Sequence, residues 1–485
     1  MEKADYILKA EYVVTMDPHS GGKTGDPHSG GKTGYPHSGG KTGYPDRGEK
    51  TWDGAGEAVI SDGAVAVRDG TIAGVGPRSD IEKKFEVSKK QDAIGGDGRR
   101  KALMPGFINT HTHAPMVYLR GIADDLPLKR WLEEHIWPIE SKWLGPEFIN
   151  DATELACLEM LKAGITTFND MYFFEKDAAR AIARLGIRAV LGAGILDFPT
   201  AVAKNTDEYF ERAEEFIGEF LDGELITPSI APHALYTCGP EGQKRAAAMS
   251  EKYNIPLHMH LSETKWETGE IEKRYGQRPV KFLDSLGVLS SRMIAAHCVW
   301  LDDEEIEILA ERQVGVAHCA ESNLKLASGF APAAKMIRAG IRVTLGTDGA
   351  ASNNDLNIIG EMSTASKLQK AVSGDPTALD ARTVVRMATR WGAEALGLGG
   401  KTGSIKKGKA ADLIMLDLDK PHLTPMYNIY SHLVNSARPS DVQHVMVAGK
   451  LVVEDGRLTT ADEREILEKA RRWGEKIGGA GNKGV

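Results

Sequence analysis

Cysteine is scarce in this 485-residue chain, and the scarcity excludes a fold held together by disulfides. The sequence has 4 cysteines and no Cys-x-x-Cys pair. Small secreted domains that depend on disulfides carry a much denser set. The four cysteines are scattered along the chain, at Cys157, Cys238, Cys298 and Cys319.

Positive charge and long apolar runs are also lacking. Lysine and arginine number 60 against 68 acidic residues, which gives a net charge of −8. Such a chain has no basic field to hold nucleic acid or an anionic membrane. No apolar run reaches the roughly 18 residues of a membrane span, and the first residues lack a signal-peptide pattern. We therefore expect a cytoplasmic protein with no nucleic-acid or membrane partner.

Residues 17–43 are a tandem repeat, with DPHSGGKTG twice, YPHSGGKTG once and a decayed copy after them. The unit lacks the apolar residues needed to offset the entropy of ordering. Its GGKT resembles part of a phosphate loop, but the first glycine of that motif is missing from every copy. Weak metal binding by His19, His28 and His37 is a further alternative. We interpret 17–50 as a flexible insertion of unknown purpose.

Short strand patterns with Asp-Gly turns occupy both chain ends, over 4–16, 57–76, 411–419 and 442–458. Two strand-rich ends around a long middle predict one small β-sandwich domain built from both termini.

The middle of the chain alternates apolar strand-like runs with helical stretches. Eight such βα units predict an α/β fold, a closed (β/α)₈ TIM-like barrel. The strand candidates are 102–113, 164–171, 187–195, 226–235, 255–263, 293–301, 313–323 and 341–349. The predicted domains are 1–103 and 403–460 for the two parts of the small β-domain, 104–402 for the barrel and 461–485 for a C-terminal helix and tail.

Polar residues cluster at the carboxyl ends of these predicted strands, where the βα loops of such a barrel build its site. They are His111, His113, Asn169, Asp170, His233, His260, Glu263, His297, His318 and Asp348. His111 and His113 point to one face of their strand, because side chains alternate, and can therefore ligate one ion. His258 also faces the interior, and we place it one layer deeper than His260. For His318 we favour core packing.

Several long motifs carry a family resemblance. They include MPGFINTHTHAPMVYLRGIADDLPLKRWLEEHIWPIE (104–140), HMHLSET (258–264), AAHCVWL (295–301), ESNLKLASGFAP (321–332) and VTLGTDGAASNNDLN (343–357). The sequence resembles the amidohydrolase superfamily, and within it the 5-methylthioadenosine/S-adenosylhomocysteine deaminases. The resemblance covers everything except the repeat.

The resemblance implies a mononuclear metal site. His111, His113, His260 and Asp348 would bind one divalent ion, most simply zinc, with iron, manganese and nickel as alternatives. Binuclear relatives use a bridging lysine after strand four, where this chain has His233 instead. One metal per chain is therefore expected.

The resemblance also assigns the proton chemistry of an adenosine-type deamination. Asp348 would take a proton from the attacking water, and Glu263 would protonate N1 of the adenine ring. His297 would hold the nucleophile and assist the departing amine. Glu140 matches a glutamate that binds the ribose hydroxyls, and His233 a histidine on the ribose side. Trp131 and Leu119 are candidate walls for the purine, with helix packing as the alternative.

One departure bears on specificity. Relatives that bind the S-adenosylhomocysteine tail carry an arginine near the end of strand three, where this chain has Ala193. A carboxylate tail would lose its bidentate partner there. We therefore expect 5′-deoxyadenosine, 5′-methylthioadenosine or adenosine to be favoured, with S-adenosylhomocysteine a weaker substrate.

Two other classes stay open at this point. One is a deaminase or dechlorinase of another amino-heterocycle, such as guanine, 8-oxoguanine, cytosine or a triazine. The other is a metal-free binding or scaffold relative, which would be expected to have lost ligands that this chain keeps. Resemblance to such enzymes also suggests a homo-oligomer, a dimer or tetramer.

Overall fold

The computed structural model describes residues 1–18, 59–87, 94 and 96–481. From position 19 onward, the repeat predicted to be a flexible insertion lies outside these residues. Among the described residues, no helix has both the length and the apolar character needed to cross a membrane.

The described strands, in chain order, are β1 Glu2–Ala4, β2 Tyr6–Val14, β3 Val59–Arg68, β4 Thr71–Pro77, β5 Phe85–Val87, β6 Lys101–Pro105, β7 Phe107–Thr112, β8 Ile165–Tyr172, β9 Arg188–Ile195, β10 Ile226–Pro232, β11 Leu257–Leu261, β12 Met293–His297, β13 Gly315–His318, β14 Val343–Leu345, β15 Leu413–Asp417, β16 Val442–Val447, β17 Lys450–Glu454 and β18 Arg457–Leu458.

The described α-helices are Arg78–Lys84, Leu128–Arg130, Trp137–Trp143, Pro146–Lys162, Glu175–Leu185, Thr206–Phe220, Pro240–Tyr253, Lys265–Tyr275, Pro279–Ser285, Asp303–Glu311, Ala320–Lys325, Ala333–Arg338, Ala350–Asn353, Ile358–Ser373, Ala381–Met387, Arg390–Ala395, Ile429–Asn435 and Glu463–Gly481. Trp131–Ile136 is a π-helix, and three short 3₁₀ segments are Ala114–Leu119, Pro421–Leu423 and Pro439–Asp441.

Strands β7–β14 form the barrel, each parallel to the next along the chain. Their apolar side chains are buried, as expected of parallel strands covered by helices. Hydrogen bonds between β7 and the residues that follow β14 close the barrel. The backbone amide of Asp348 donates to the His111 carbonyl at 3.0 Å, and the side-chain amide of Asn109 donates to the Thr347 hydroxyl at 2.7 Å. The predicted barrel is confirmed, and these hydrogen bonds set His111 beside Asp348.

The prediction of one continuous strand over 102–113 is wrong. The chain forms β6 and then β7, and the two strands belong to different sheets. Gly106 lies between them, where a Cβ atom would stand 2.1 Å from Oγ1 of Thr166. Only glycine fits this close approach, so the chain can turn from one sheet into the other there.

The second sheet has eight strands in the order β18-β17-β16-β15-β6-β2-β3-β4, and β1 pairs with β5 separately. Strands β2 and β6 run parallel, whereas the other neighbours in the large sheet are antiparallel. Because β15–β18 come from the far end of the chain, this sheet confirms the small domain predicted from both termini.

A buried ion pair joins the barrel to the second sheet. Nε of Arg188, at the start of β9, lies 2.9 Å from the Asp412 carboxylate, and Nη2 lies 3.1 Å from it. The two side chains are 1% and 0% exposed. Arg188 also donates to the Glu224 carbonyl at 2.7 Å, and Asp412 accepts the Ala448 amide at 2.7 Å. The pair is thus surrounded by further hydrogen bonds, as a buried pair requires.

The predicted C-terminal helix is present as Glu463–Gly481 and packs on the barrel helix Pro146–Lys162. Trp473 is buried in this interface, and its indole donates to Asp151 at 3.2 Å. Lys469 lies 3.1 Å from Asp151 and 3.0 Å from Glu154. The helix therefore covers the outside of the first βα unit of the barrel.

Candidate active site

A cavity of about 450 Å³ opens at the carboxyl ends of the barrel strands. The predicted site residues that line it are His113, Glu140, His233, His260, Glu263, His297 and Asp348. Trp131 lines it as well, whereas Leu119 is buried outside the lining. Because these residues come from five strands and the loops that follow them, only the closed barrel brings them together.

His113 and His260 point the same ring nitrogen into the cavity. Nδ1–H of His113 donates to the Met171 carbonyl at 2.5 Å, and Nδ1–H of His260 donates to the His233 carbonyl at 2.9 Å. Each neutral ring then keeps a bare Nε2, and these two atoms lie 3.2 Å apart. Two nitrogen lone pairs that face each other at this distance repel, and a cation bound by both nitrogens would remove this repulsion.

His111 and Asp348 complete the group. Nε2 of His111 is buried without a hydrogen-bond partner, 3.5 Å from Oδ1 of Asp348. The same oxygen lies 3.4 Å from Nε2 of His113. His111, His113 and Asp348 can converge on one metal ion, as can His111, His260 and His297. An orphaned imidazole nitrogen next to a carboxylate fits a transition metal ion, so the residues present fit the expected group.

His258 lies behind this group. Its Nε2 is 2.8 Å from Nδ1 of His111, and its Nδ1 is 3.1 Å from the Asn169 side-chain amide. The Asn169 amide also donates to the Thr110 carbonyl at 2.8 Å. Since both nitrogens of His258 are engaged, this ring supports His111 from the layer below, where it was expected. Such outer contacts orient metal ligands.

Burial keeps the imidazoles neutral, which metal ligation requires. It lowers the pKa of His111 to about 4 and holds the pKa of His113 below its usual value. The pKa of His260 is well below its ordinary value for the same reason, and the nearby imidazoles lower it further.

Glu263 and His297 form a second pair in the cavity. Oε2 of Glu263 lies 3.9 Å from Nε2 of His297. Burial raises the pKa of the Glu263 carboxyl group, which favours its protonated form. Burial also lowers the pKa of His297, but the charges of Glu263 and Asp348 outweigh it and raise the pKa overall. This pair can hold and move one proton.

Backbone strain accompanies three of these positions. The backbone φ angles of Ser262, His297 and Asp348 are 51°, 72° and 62°, values that residues other than glycine rarely adopt. All three lie just past the end of a strand or at its last residue. Such strain persists where surrounding contacts enforce it, typically at functional sites.

Glu267 is a buried residue beside Glu263 that the sequence patterns do not mark. Its buried carboxylate accepts the amides of Ser262 at 3.0 Å and Glu263 at 2.8 Å. These bonds hold the turn that presents Glu263. Thr264 caps the following helix through the Glu267 amide, and this S/T-x-x-E spacing is the one signal that could have pointed to it.

Glu140 lies on the far wall of the cavity, where the Tyr172 hydroxyl donates to it at 2.5 Å. Burial raises the pKa of Glu140 to about 7, although the Tyr172 hydrogen bond lowers it. The predicted strand stopped at Met171, so Tyr172, the partner of Glu140, was missed by one position.

His233 donates to the Thr237 hydroxyl at 2.7 Å and contacts the His260 ring, with ring centres 4.6 Å apart.

His318 lies in the core at 0% exposure, with both ring nitrogens lacking a hydrogen-bond partner. It does not line the cavity, in agreement with the packing role that we favoured.

The geometry can be compared with known proteins. A family model described as the amidohydrolase family matches residues 102–452. The chain belongs to the amidohydrolase family. A second model, an imidazolonepropionase-like composite domain of bacteria, matches residues 63–85, which include most of β3, β4 and the helix Arg78–Lys84. Amidohydrolases are metal-dependent, in keeping with the ligand group described above.

Similar proteins are named as deaminases. A 5-methylthioadenosine/S-adenosylhomocysteine deaminase of Thermodesulfovibrio yellowstonii is 54% identical over 87% of this chain and 95% of that protein. A 5′-deoxyadenosine deaminase of Methanothermobacter thermautotrophicus is 43% identical over 87% and 96%. The crystal structure of an adenosine deaminase from Xanthomonas campestris with bound zinc has a TM-score of 0.87 and 41% identity, covering 98% of this chain and 99% of that one.

Proposed function

We propose that this amidohydrolase removes the 6-amino group of adenine nucleosides by hydrolysis, with release of ammonia and the inosine analogue. One observation carries the proposal: bare imidazole nitrogens and Asp348 converge beside the Glu263–His297 pair in one cavity. The deaminase names of relatives at 43% to 54% identity support it.

His111, His113, His260 and Asp348 would hold one divalent ion, and we propose zinc. Three imidazoles and a carboxylate suit zinc, although iron, manganese and nickel bind similar ligands. When bound, such an ion supplies a Lewis acid that makes water a stronger nucleophile near neutral pH. Elemental analysis of the purified protein would identify it.

The proton transfers fall to three side chains. Asp348 is ionised and accepts a proton from the attacking water. Glu263, whose pKa is raised by burial, donates a proton to N1 of the adenine ring, so that the electrons of the C6–N1 double bond can move to nitrogen. His297 orients the nucleophile and assists the departing amine. As the C6–N bond breaks, the proton held by Asp348 passes to the amine, which leaves as ammonia, and the remaining proton of the C6 hydroxyl returns to Glu263. Each positioned acid or base contributes about 10²–10⁴ in rate.

Glu140 and His233 would recognise the sugar. A carboxylate with two free acceptor positions can bind two neighbouring hydroxyls, which a ribose offers and a free base lacks. The Tyr172 hydroxyl fixes the orientation of Glu140 at 2.5 Å. We therefore propose a nucleoside rather than a nucleobase as the substrate.

The cavity wall at the end of β9, the third strand of the barrel, favours a short, uncharged 5′ group. Gly194, Ile195, Leu196 and Phe198 line that side, and the described lining of this cavity includes no lysine or arginine. An adjoining cavity does carry Lys129, Lys265 and Arg274. Of the two cavities, as lined by the described residues, only the adjoining one offers a carboxylate tail a cation, so S-adenosylhomocysteine is expected to be a weaker substrate.

A panel of four nucleosides tests these proposals. Ammonia release and the purine absorbance change are measured for adenosine, 5′-deoxyadenosine, 5′-methylthioadenosine and S-adenosylhomocysteine, with His111→Ala as the blank. We expect the first three to be the better substrates. A strong preference for S-adenosylhomocysteine would refute the specificity proposal. Turnover of guanine, cytosine or a triazine, with none of any adenine nucleoside, would refute the function.

A further inference from the structure

One segment touches all three side chains of the proposed proton transfers. It follows barrel strand β13 and comprises residues 322–328. Ser322 donates to Oδ2 of Asp348 at 2.6 Å, Asn323 accepts Nδ1–H of His297 at 2.9 Å, and Ser328 donates to Oε1 of Glu263 at 3.1 Å. Asp348, His297 and Glu263 come from three different strand ends, so this one segment connects otherwise separate parts of the site.

The three contacting residues are buried. Ser322, Asn323 and Ser328 are 0%, 1% and 5% exposed. None of them lines the cavity that contains Glu140 and Glu263. Ser328 also lines the adjoining cavity. A nucleoside with a short 5′ group, held in the cavity of Glu140 and Glu263, does not reach the three residues, so any effect on its reaction passes through the groups they contact.

Each contact engages one defined atom and turns another toward the cavity. Ser322 and Ser352 both donate to Oδ2 of Asp348, so the other oxygen, Oδ1, faces the imidazoles, where it also accepts the Gly349 amide at 2.7 Å. Asn323 takes the Nδ1 proton of His297, so the bare Nε2 faces the cavity. Ser328 occupies Oε1 of Glu263 and leaves Oε2 toward His297.

The segment is itself held in place. The buried carboxylate of Glu361 accepts the amides of Ala320 at 3.0 Å and Glu321 at 3.3 Å, at the start of the helix Ala320–Lys325. At the other end, the Trp300 indole donates to the Ser328 carbonyl at 2.7 Å. Supports at both ends make the segment a rigid frame.

We propose that three residues of the segment 322–328, Ser322, Asn323 and Ser328, form a positioning element that sets the orientation of Asp348, His297 and Glu263 together. The proposal rests on the deaminase function given above. Ser322, Asn323 and Ser328 are positioning residues in it, since each acts through the side chain that it contacts. Loss of such an outer contact typically costs about 10- to 100-fold.

Asn323 provides the sharpest test. Asn323→Leu keeps the size but removes the acceptor for His297, whereas Asn323→Asp keeps an acceptor oxygen. Leu324→Ala is the matched control, because Leu324 is the next residue of the same helix, 40% exposed and outside both cavities. We expect Asn323→Leu to lower kcat by about 10- to 100-fold with KM and metal content unchanged. Asn323→Asp should restore most of kcat, and Leu324→Ala should behave as the parent protein.

Ser322→Ala and Ser328→Ala repeat the test with smaller changes, which guards against a folding failure of Asn323→Leu. Both should lower kcat rather than raise KM. Unchanged kcat in both serine variants and in Asn323→Leu would overturn the proposal, as would equal losses in Leu324→Ala. If the parent protein deaminates no adenine nucleoside, the proposed function itself fails; an active parent with unaffected variants refutes the positioning element alone.

Discussion

Glu140 offers a direct test of ribose recognition, because its carboxylate must be ionised to accept two hydroxyls. Burial raises the pKa of Glu140 to about 7. The free enzyme's ionisations appear in kcat/KM, so this carboxylate should give a limb that rises with pH. With half ionisation near pH 7, the ionised fraction, and with it kcat/KM, increases about tenfold between pH 6 and pH 8.

Glu140→Gln removes the charge and keeps the shape. A hydrogen bond to a charged group contributes about 1 kcal/mol more than one between neutral groups. Two ribose hydroxyls therefore give about 2 kcal/mol, or about 30-fold in kcat/KM above pH 8. The rise between pH 6 and pH 8 should also disappear in this variant. Tyr172→Phe should move the rise to higher pH, because the Tyr172 hydrogen bond lowers the pKa of Glu140.

The decisive comparison uses a 2′,3′-dideoxy adenine nucleoside, which has no hydroxyls for Glu140 to bind. On this substrate the parent and Glu140→Gln proteins should differ by no more than a small factor. A loss as large as on the ribonucleoside would show that Glu140 supports the fold or the chemistry, and would refute the reasoning.

Four further outcomes are expected. Chelation should abolish activity and lower the melting temperature, with zinc restoring both; full activity in metal-free protein would contradict the ligand set. Arg188→Met leaves Asp412 buried without its cation, so the free energy of unfolding in urea should fall by about 3–5 kcal/mol; a change below about 1 kcal/mol would count against this pair as an interdomain link. Glu267→Gln should lower kcat without loss of metal, because one backbone amide of the Glu263 turn loses its acceptor; metal loss would contradict this. Light scattering should give the mass of a dimer or tetramer, and a monomer would contradict that prediction.

The barrel was predictable because its physical signal is local. Parallel strands buried on both faces read as apolar runs such as IRAVLGAGI and MIAAHCVWL, and both runs contain barrel strands, β9 and β12. The placement of polar residues at strand ends followed from the same reasoning. His111 and His113 share a strand face by their spacing alone, which is why the sequence was enough to infer that they approach each other.

Other features depend on contacts between distant parts of the chain. The break at Gly106 is set by Thr166, some sixty positions away, so an apolar run across it reads as one strand. Ser322 and Ser328 are ordinary residues in sequence, and their importance comes from the loops that fold against them. Glu267 likewise gains its role only once the backbone of Ser262 turns toward it.

The pairing of β2 with β3 has a consequence for the length of the connection between them. Val14 and Val59 are directly paired across the hairpin, so everything between them leaves and re-enters the sheet at neighbouring points. Closing a connection costs only about 0.6 kcal/mol for each doubling of its length. The number of nine-residue units can therefore change at a small cost in the free energy of unfolding, and we expect little effect on the barrel.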